Sequence, residues 1–553
     1  MSRHSIFFQA SLMLLLLFTS CKEDTPNEPD PIFESSKDVF YKTIDQNRIK
    51  AHLTEISSDA YMGRDTGTEG QKMAANYIRD HFQKVGLESP TALENPYFQS
   101  FDLNSWNLAS GVLEAGNYSA DLFDDFVPYG ASKPINVEIL NKDVVFVRFG
   151  IVDPQYSDYE SVDVNGKGVM FFLGAPEDLA LENGDNAAMS RKIAEAKLHG
   201  ATFAIAIFYD ESGYINYFDH YQSYFEGTKL TFDELSESDD FPVFIGAPGM
   251  GNGLFGKSVS TLLNESAGQS EQTISMSVTS ETGKVQTENV IGYVEGSDLK
   301  DEVVVLTAHY DHVGAFGDVI YNGADDNGSG TSALMEMAET VASAKTSGNG
   351  PRRTLVFLAL SGEEKGLLGS VYYTENPVFS LDQTVANVNS DMLGRIDDKH
   401  SGGGQYVYPI GSDFLSSDLH EIFTGISGSY FKDLTMDFEH NDPTHPKQYY
   451  FRSDQYNFAI HNIPVMFFTD GEHEDYHRPT DTADKIDYAL LERRTELVFA
   501  TAWELANVDE KPKVDQQNTG GRIAEEESHD NHISCKGHPS PYSDEVLSLE
   551  IVQ

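Results

Sequence analysis

Five side chains able to bind a metal ion stand between residues 309 and 477: His309, Asp326, Glu364, Asp391 and His477. Two imidazoles and three carboxylates make a mixed nitrogen and oxygen donor set, suited to zinc and tolerant of manganese or cobalt. A single catalytic zinc uses three protein ligands, so five exceed its needs. With one carboxylate bridging, two ions about 3.5 to 4 Å apart can share the set, each keeping a position open for water or substrate. Asp311, two residues past His309, is close enough to accept the other ring N–H and fix the tautomer. Glu363 is then left over, beside a ligand and not needed as one. A free carboxylate next to a metal-bound water is what a general base requires.

These residues need elements to bring them together, and the pattern around them supplies such elements. DEVVVLTA is an apolar, β-branched run of strand length that ends at His309 and Asp311. TLVFLAL ends before Ser361, Gly362, Glu363 and Glu364; QTVANVNSDMLG offers a strand ending at Asp391; IPVMFFTDG precedes the loop that holds His477. After GADDNGSG, Leu334, Met337, Ala338 and Val341 recur at helical spacing. Strands alternating with helices predict an α/β fold with a mixed, mostly parallel central sheet, and in such sheets ligand sites form at the carboxyl ends of the strands. Further helices are expected over Asp38 to Ser57, over TEGQKMAANYIRDHFQKVGL with Gly86 as its stop, and over Ile486 to Asn507.

At 553 residues the chain exceeds one compact core, and two or three domains are expected. Lys and Arg number 38 against 88 Asp and Glu, a formal net charge of -50, which argues against nucleic acid or anionic lipid as partner. The N-terminus reads as an export signal: MSRH is positively charged, IFFQASLMLLLLF is a short apolar stretch, and TSC closes it. A Cys directly after such a stretch resembles the lipobox of bacterial lipoproteins. That resemblance implies cleavage before Cys21, lipidation of its thiol and anchoring at the outer membrane or cell surface. KEDTPNEPDP behind it is an acidic, proline-rich tether. Cys21 and Cys535 are the only cysteines, so no internal disulfide is expected and core burial and bound metal must stabilise the fold.

Between residues 108 and 284 the pattern changes to short strands and loops. DVVFVRFG, GKGVMFFLG, the helical AAMSRKIAEAKLHG, ATFAIAIFY and FPVFIG follow in turn. This order resembles a protease-associated domain, an α/β insert of exported peptidases. The expected organisation is a signal peptide (1–20), a tether (21–37), a first catalytic part (38–107), the insert (108–284), a second catalytic part with the metal site (285–507) and a polar tail (508–553).

The pieces H-x-D, D-x-x-S-G, E-E, a strand-end Asp and Y-H-x-P-x-D-T occur here in the order found in the zinc exopeptidases of metallopeptidase family twenty-eight, which the chain resembles from about Asp38 to Asn507. The resemblance implies two zinc ions per chain. His309 and Asp391 would hold one, Glu364 and His477 the other, and Asp326 would bridge them. Asp325 is the rival for the bridge, set aside because the family's bridging Asp stands three residues before the Ser of the S-G pair, here Ser329. Glu363 matches the family's catalytic base, and Tyr476 a tyrosine that hydrogen-bonds the oxyanion in some members. Where the family often shows S-D-H, this chain has Ser453, Asp454 and Gln455. His473 competes with His477 but lacks the matching setting, and His312, His440, His445 and His461 receive no role. The activity implied is hydrolysis of peptides at chain ends, foremost by an aminopeptidase. The alternatives are a carboxypeptidase of the glutamate carboxypeptidase type, a single-zinc acyl transferase like glutaminyl cyclase, and an inactive binding protein.

Overall fold

Seven of the eleven strands of the sheet that carries the site form its body: β1 (Phe98–Ala115), β2 (Ile274–Val294), β3 (Leu299–His309), β4 (Arg353–Leu360), β5 (Thr384–Ser390), β6 (Tyr406–Ile410) and β7 (Val465–Thr469). The computed structural model describes residues 41–176, 184–236, 241–270 and 272–516; Cys21, the expected signal peptide and tether, and the tail beyond 516 lie outside them. Across the sheet the order is β1, β2, β4, β3, β5, β7, β6, with Lys229–Thr231 beside β1 and Thr435–Met436 beside β6. Strands β4, β3, β5 and β7 run parallel, whereas β1, β2 and β6 pair antiparallel. The sheet is therefore mixed: its four central strands run parallel, and at the far edge Thr435–Met436 also pairs parallel with β6.

Those four are continuous apolar runs because both faces of the sheet are covered. On β3, Val304, Leu306 and Ala308 point into one core and Val303 and Val305 into the other; Leu355, Phe357 and Ala359 alternate with Val356, Leu358 and Leu360 on β4 in the same way. Six helices are labelled in chain order: α1 (Gln46–Ile56), α2 (Glu69–Val85), α3 (Met189–Leu198), α4 (Glu211–Glu226), α5 (Gly330–Thr346) and α6 (Tyr488–Asn507). The first core packs against α1, α2, α5 and α6. Among the described residues the first α-helix begins at Gln46, where the Asp45 side chain caps it by accepting from the N–H groups of Asn47 and Arg48; residues 38–40 of the expected helix lie outside them. Thr68 caps α2, which stops at Gly86 in a left-handed conformation.

β1 and β2 pair with each other from Phe98 with Val290 to Glu114 with Ser275. They continue through residues 108 and 284, where the change of pattern puts the insert's edges, and form a ribbon out of the main sheet, flanked by Tyr118–Asp121 on β1 and Val137–Lys142 on β2. Beyond it lies a second, six-stranded sheet in the order Gly268–Gln269, Val144–Phe146, Gly168–Phe172, Phe203–Ile207, Val243–Gly246 and Phe126–Pro128, with an apolar core on each face. α4 returns from this unit toward the site: His220 contacts Arg478, the residue after His477. No helix among the described residues is long and apolar enough to cross a membrane.

Candidate metal centre

Parallel β4, β3, β5 and β7 deliver their carboxyl ends to one edge, and every expected site residue hangs from that edge or from the loops beside it. His309 ends β3, Glu363 and Glu364 follow β4, Asp391 follows β5, and His477 sits in the loop after β7. Asp326 comes from the irregular turn between β3 and α5, where its peptide bond to Asn327 is cis.

The two oxygens of Asp326 face different neighbours. Oδ1 lies 3.4 Å from His309 Nε2, which is itself 3.2 Å from Asp391 Oδ1. Oδ2 lies 2.9 Å from His477 Nε2, which is 3.1 Å from Glu364 Oε2. Ligand atoms around a tetrahedral zinc with bonds of about 2.0 to 2.1 Å stand about 3.3 Å apart, so each half is spaced for one ion. Asp325, the rival bridge, points elsewhere: its Oδ2 is 3.2 Å from His473 Nε2 and its Oδ1 accepts from Gly394 N at 2.6 Å. His473 thereby serves the support of the turn, and Asp325 with other carboxylates outweighs its burial and lifts it to about 9.

Electrostatics say what this cluster is built for. Burial pushes the carboxyl of Glu363 well above its ordinary range, with His309 opposing and Asp391 and Glu364 adding to the rise. Asp454, buried behind it, is pushed to about 7, first by burial. Against the burial that would lower it, Glu364 and Asp326 raise His477 to about 10. Carboxylates outnumber the imidazoles, and burying an excess of negative charge without a counter-charge costs several kcal/mol per ion, roughly. Bound divalent metal meets that need, and the nitrogen and oxygen donor set suits zinc.

Glu363 is nearly buried, with Oε2 3.8 Å from His309 Nε2, beside the half-site of His309 and Asp391. Tyr476 stacks on His477 and receives a hydrogen bond of 3.3 Å from Arg452 Nη2 on its hydroxyl. Tyr476 and Arg452 line a cleft with Asp391, Tyr449, Phe467 and Glu472. Asp311 is where the motif puts it but works differently from expectation. His309 Nδ1 is nearer the backbone carbonyl of Asp311, at 3.2 Å, than its carboxylate, at 3.8 Å. The carboxylate instead accepts from Thr66 Oγ1 at 2.8 Å and from Glu363 N at 3.2 Å, which fixes the loop that carries the base.

Four further residues at the site had no role in the sequence reading. Ser453 donates to Asp391 Oδ2 at 2.7 Å, so the segment that departs from S-D-H orients a ligand. Asp481 accepts from the N–H groups of both Asp325 and Asp326, at 2.9 and 3.1 Å, and fixes the bridging turn; the D-T of the quoted motif marked it. Arg64 lies fully buried and donates to the carbonyls of Ile56, Tyr310, Asn322 and Gly323 at 2.8 to 2.9 Å. The glycines around it in YMGRDTGTEG signal only a tight turn before a helix. His312, read as a spare, places Nδ1 2.8 Å from Glu364 Oε1.

Fold and site together define an α/β protein with a metal-binding donor set at its strand ends. Residues 289–502, the segment that carries the whole donor set, match Peptidase family M28. The chain is similar to "Aminopeptidase YwaD" of Bacillus subtilis, 29% identical over 243 residues that make up 41% of this chain and 46% of the relative. It is also similar to "Probable glutamate carboxypeptidase AMP1" of Arabidopsis thaliana, 25% identical over 64% of this chain and 52% of that protein. The chain thus spans about half the length of these curated relatives. Among solved structures it shares the fold of a zinc aminopeptidase from Bacillus subtilis, with a TM-score of 0.53 at 19% identity over 86% of this chain and 98% of that one.

Proposed function

We propose that the chain is a dizinc exopeptidase, foremost an aminopeptidase. The observation that carries this reading is the division of Asp326, one oxygen toward His309 and Asp391 and the other toward Glu364 and His477. His309, Asp391 and Asp326 would hold one zinc, and Glu364, His477 and Asp326 the other. When bound, such a pair polarises a carbonyl and lowers the pKa of water toward about 7, so that a nucleophile is available at neutral pH. Glu363, beside the half-site of His309 and Asp391, takes the proton from the attacking water and returns it to the leaving amine. The Tyr476 hydroxyl, placed by the hydrogen bond it accepts from Arg452, would donate to the developing oxyanion. Asp311 and Thr66 hold the Glu363 loop in place.

The aminopeptidase branch is supported by the aminopeptidase names among the similar proteins, and the carboxypeptidase branch by the likeness to the Arabidopsis protein over the longer span. Release from aminoacyl-p-nitroanilides, compared with N-blocked peptides ending in Glu, separates the two branches. In either assay a chelator should stop turnover and zinc restore it. Glu363→Gln should abolish turnover while two zinc ions stay bound; near-normal activity of this variant overturns the base assignment. The exported, lipid-anchored location is likewise our reading, supported by the sequence around Cys21. Incorporation of labelled palmitate, lost in Cys21→Ala, tests it.

A further inference from the structure

Buried against Glu364 is an imidazole that the proposed ligand set does not use. His312 is fully buried, and its ring stands edge-on to that of His477 with centroids 5.6 Å apart. The two imidazoles grip opposite oxygens of one carboxylate: His312 Nδ1 is 2.8 Å from Glu364 Oε1, and His477 Nε2 is 3.1 Å from Oε2. A carboxylate only accepts, so the proton of this contact sits on His312 Nδ1. A nitrogen that bears a proton has no lone pair for a metal, and this takes Nδ1 out of the ligand set even though it lies 3.8 Å from Asp326 Oδ2.

The backbone is arranged to admit this ring. Gly323 lies against it at φ 53, and a Cβ there would come within 2.4 to 2.5 Å of His312 Cδ2 and Cγ and within 2.2 Å of the Asp326 carbonyl. His312 N donates to the Arg64 carbonyl at 3.3 Å, while the Arg64 guanidinium holds the carbonyls of Tyr310 and Gly323 on either side. Ring, ligand carboxylate and bridging turn are thus set by one buried construction.

We propose that His312 is a positioning residue for the second half-site: its Nδ1–H holds Oε1 of Glu364 and leaves Oε2 to meet a zinc-class divalent cation together with Asp326 and His477. This rests on the dinuclear reading above. Held at one oxygen, Glu364 binds through the other alone and pays little ordering entropy when the ion arrives. Residues that orient metal ligands in this way are worth roughly 10- to 100-fold in metal affinity.

The test is zinc binding to the full chain in chelator-buffered zinc, with bound metal counted by elemental analysis. Wild type is expected to take up two ions. His312→Ala should weaken the second ion by about 10- to 100-fold and leave the first unchanged. His312→Asn, whose amide N–H reaches close to the place of Nδ1 but is a poor zinc ligand, should restore most of that affinity. The metal-free melting temperature of each variant, close to that of wild type, separates lost positioning from lost folding. Undiminished second-ion affinity in the Ala variant overturns the proposal and leaves the dinuclear reading standing. An Asn variant as weak as Ala overturns it in favour of direct ligation by His312. A wild-type chain that binds fewer than two ions refutes the dinuclear reading, and the positioning role with it.

Discussion

Replacing Arg64 by Met should loosen the metal site from behind without touching a ligand. The guanidinium is fully buried and donates to four main-chain carbonyls, those of Ile56, Tyr310, Asn322 and Gly323. Two of these belong to the loops that present His309 and the turn of Asp325 and Asp326. Burial pulls Arg64 down to about 10 against the pull of Asp326, Asp311, Asp481 and Glu364, so it stays charged at neutral pH. Methionine has a similar reach and no donor, and each buried carbonyl it leaves unpaired costs about 1 to 3 kcal/mol. The Gly323 carbonyl keeps a bond from Gly328 N at 3.1 Å; the other three would cost about 3 to 9 kcal/mol, and relief from the desolvation of the guanidinium offsets part of this. A net loss of about 4 kcal/mol is expected. Native-state hydrogen exchange on the metal-free protein reads it locally: protection of β3 and of the first turns of α5 should fall about a thousandfold. The variant should also lose zinc affinity. If protection in these segments stays within threefold of wild type, Arg64 is a passive core residue and the clamp does not exist.

Two other outcomes are expected. Ser453→Ala removes the 2.7 Å hydrogen bond to Asp391 Oδ2, and should weaken zinc in the half-site of His309 and Asp391 by about tenfold with little change in metal-free melting, read by zinc-buffer titration. His52, at the packing of α1 on α2, is lowered to about 3 by burial first and by His81, Lys84 and Arg48 after it. Its unfolded value is higher, so the unfolded chain takes up the proton as pH falls from 6.5 toward 3, and stability present above 6.5 is lost across that window. His52→Gln should therefore shrink the drop in stability between pH 7 and pH 5 by about 1 to 2 kcal/mol, measured by urea unfolding with chelator present throughout. An unchanged drop would show that His52 does not carry this linkage.

The metal site was legible because its ligands interrupt patterns that are otherwise unmistakable. VVVLTA, TLVFLAL and VMFFT are runs that only a strand covered on both faces can bury, and a His, two Glu or an Asp directly after such a run must emerge at the sheet edge. The order of the pieces then assigned roles. Pairing over long separations left no such mark. Strand β2 carries the largely exposed, polar stretch SETGKVQ, whose partners on β1 lie far back in the chain, and a bulge between Leu108 and Ser110 breaks the alternation there. Nothing local distinguishes that ribbon from loop, and so the pattern change at residue 108 looks like a domain edge where the structure has one continuous strand. The support of the ligands was hidden for a different reason. Arg64 acts on carbonyls, Asp481 on backbone N–H groups, and Ser453 and His312 on oxygens of other side chains. These are single residues with no period, and their partners are atoms every residue has or carboxylates distant in sequence. Asp311 shows the limit most sharply. Spacing put its carboxylate within reach of the His309 ring, but Thr66 and Glu363 N, delivered by two other segments, claim that carboxylate, and the ring turns to the Asp311 carbonyl instead. Residue type and spacing can name the atoms that meet a metal; competition among the partners of those atoms is decided only when the elements are packed.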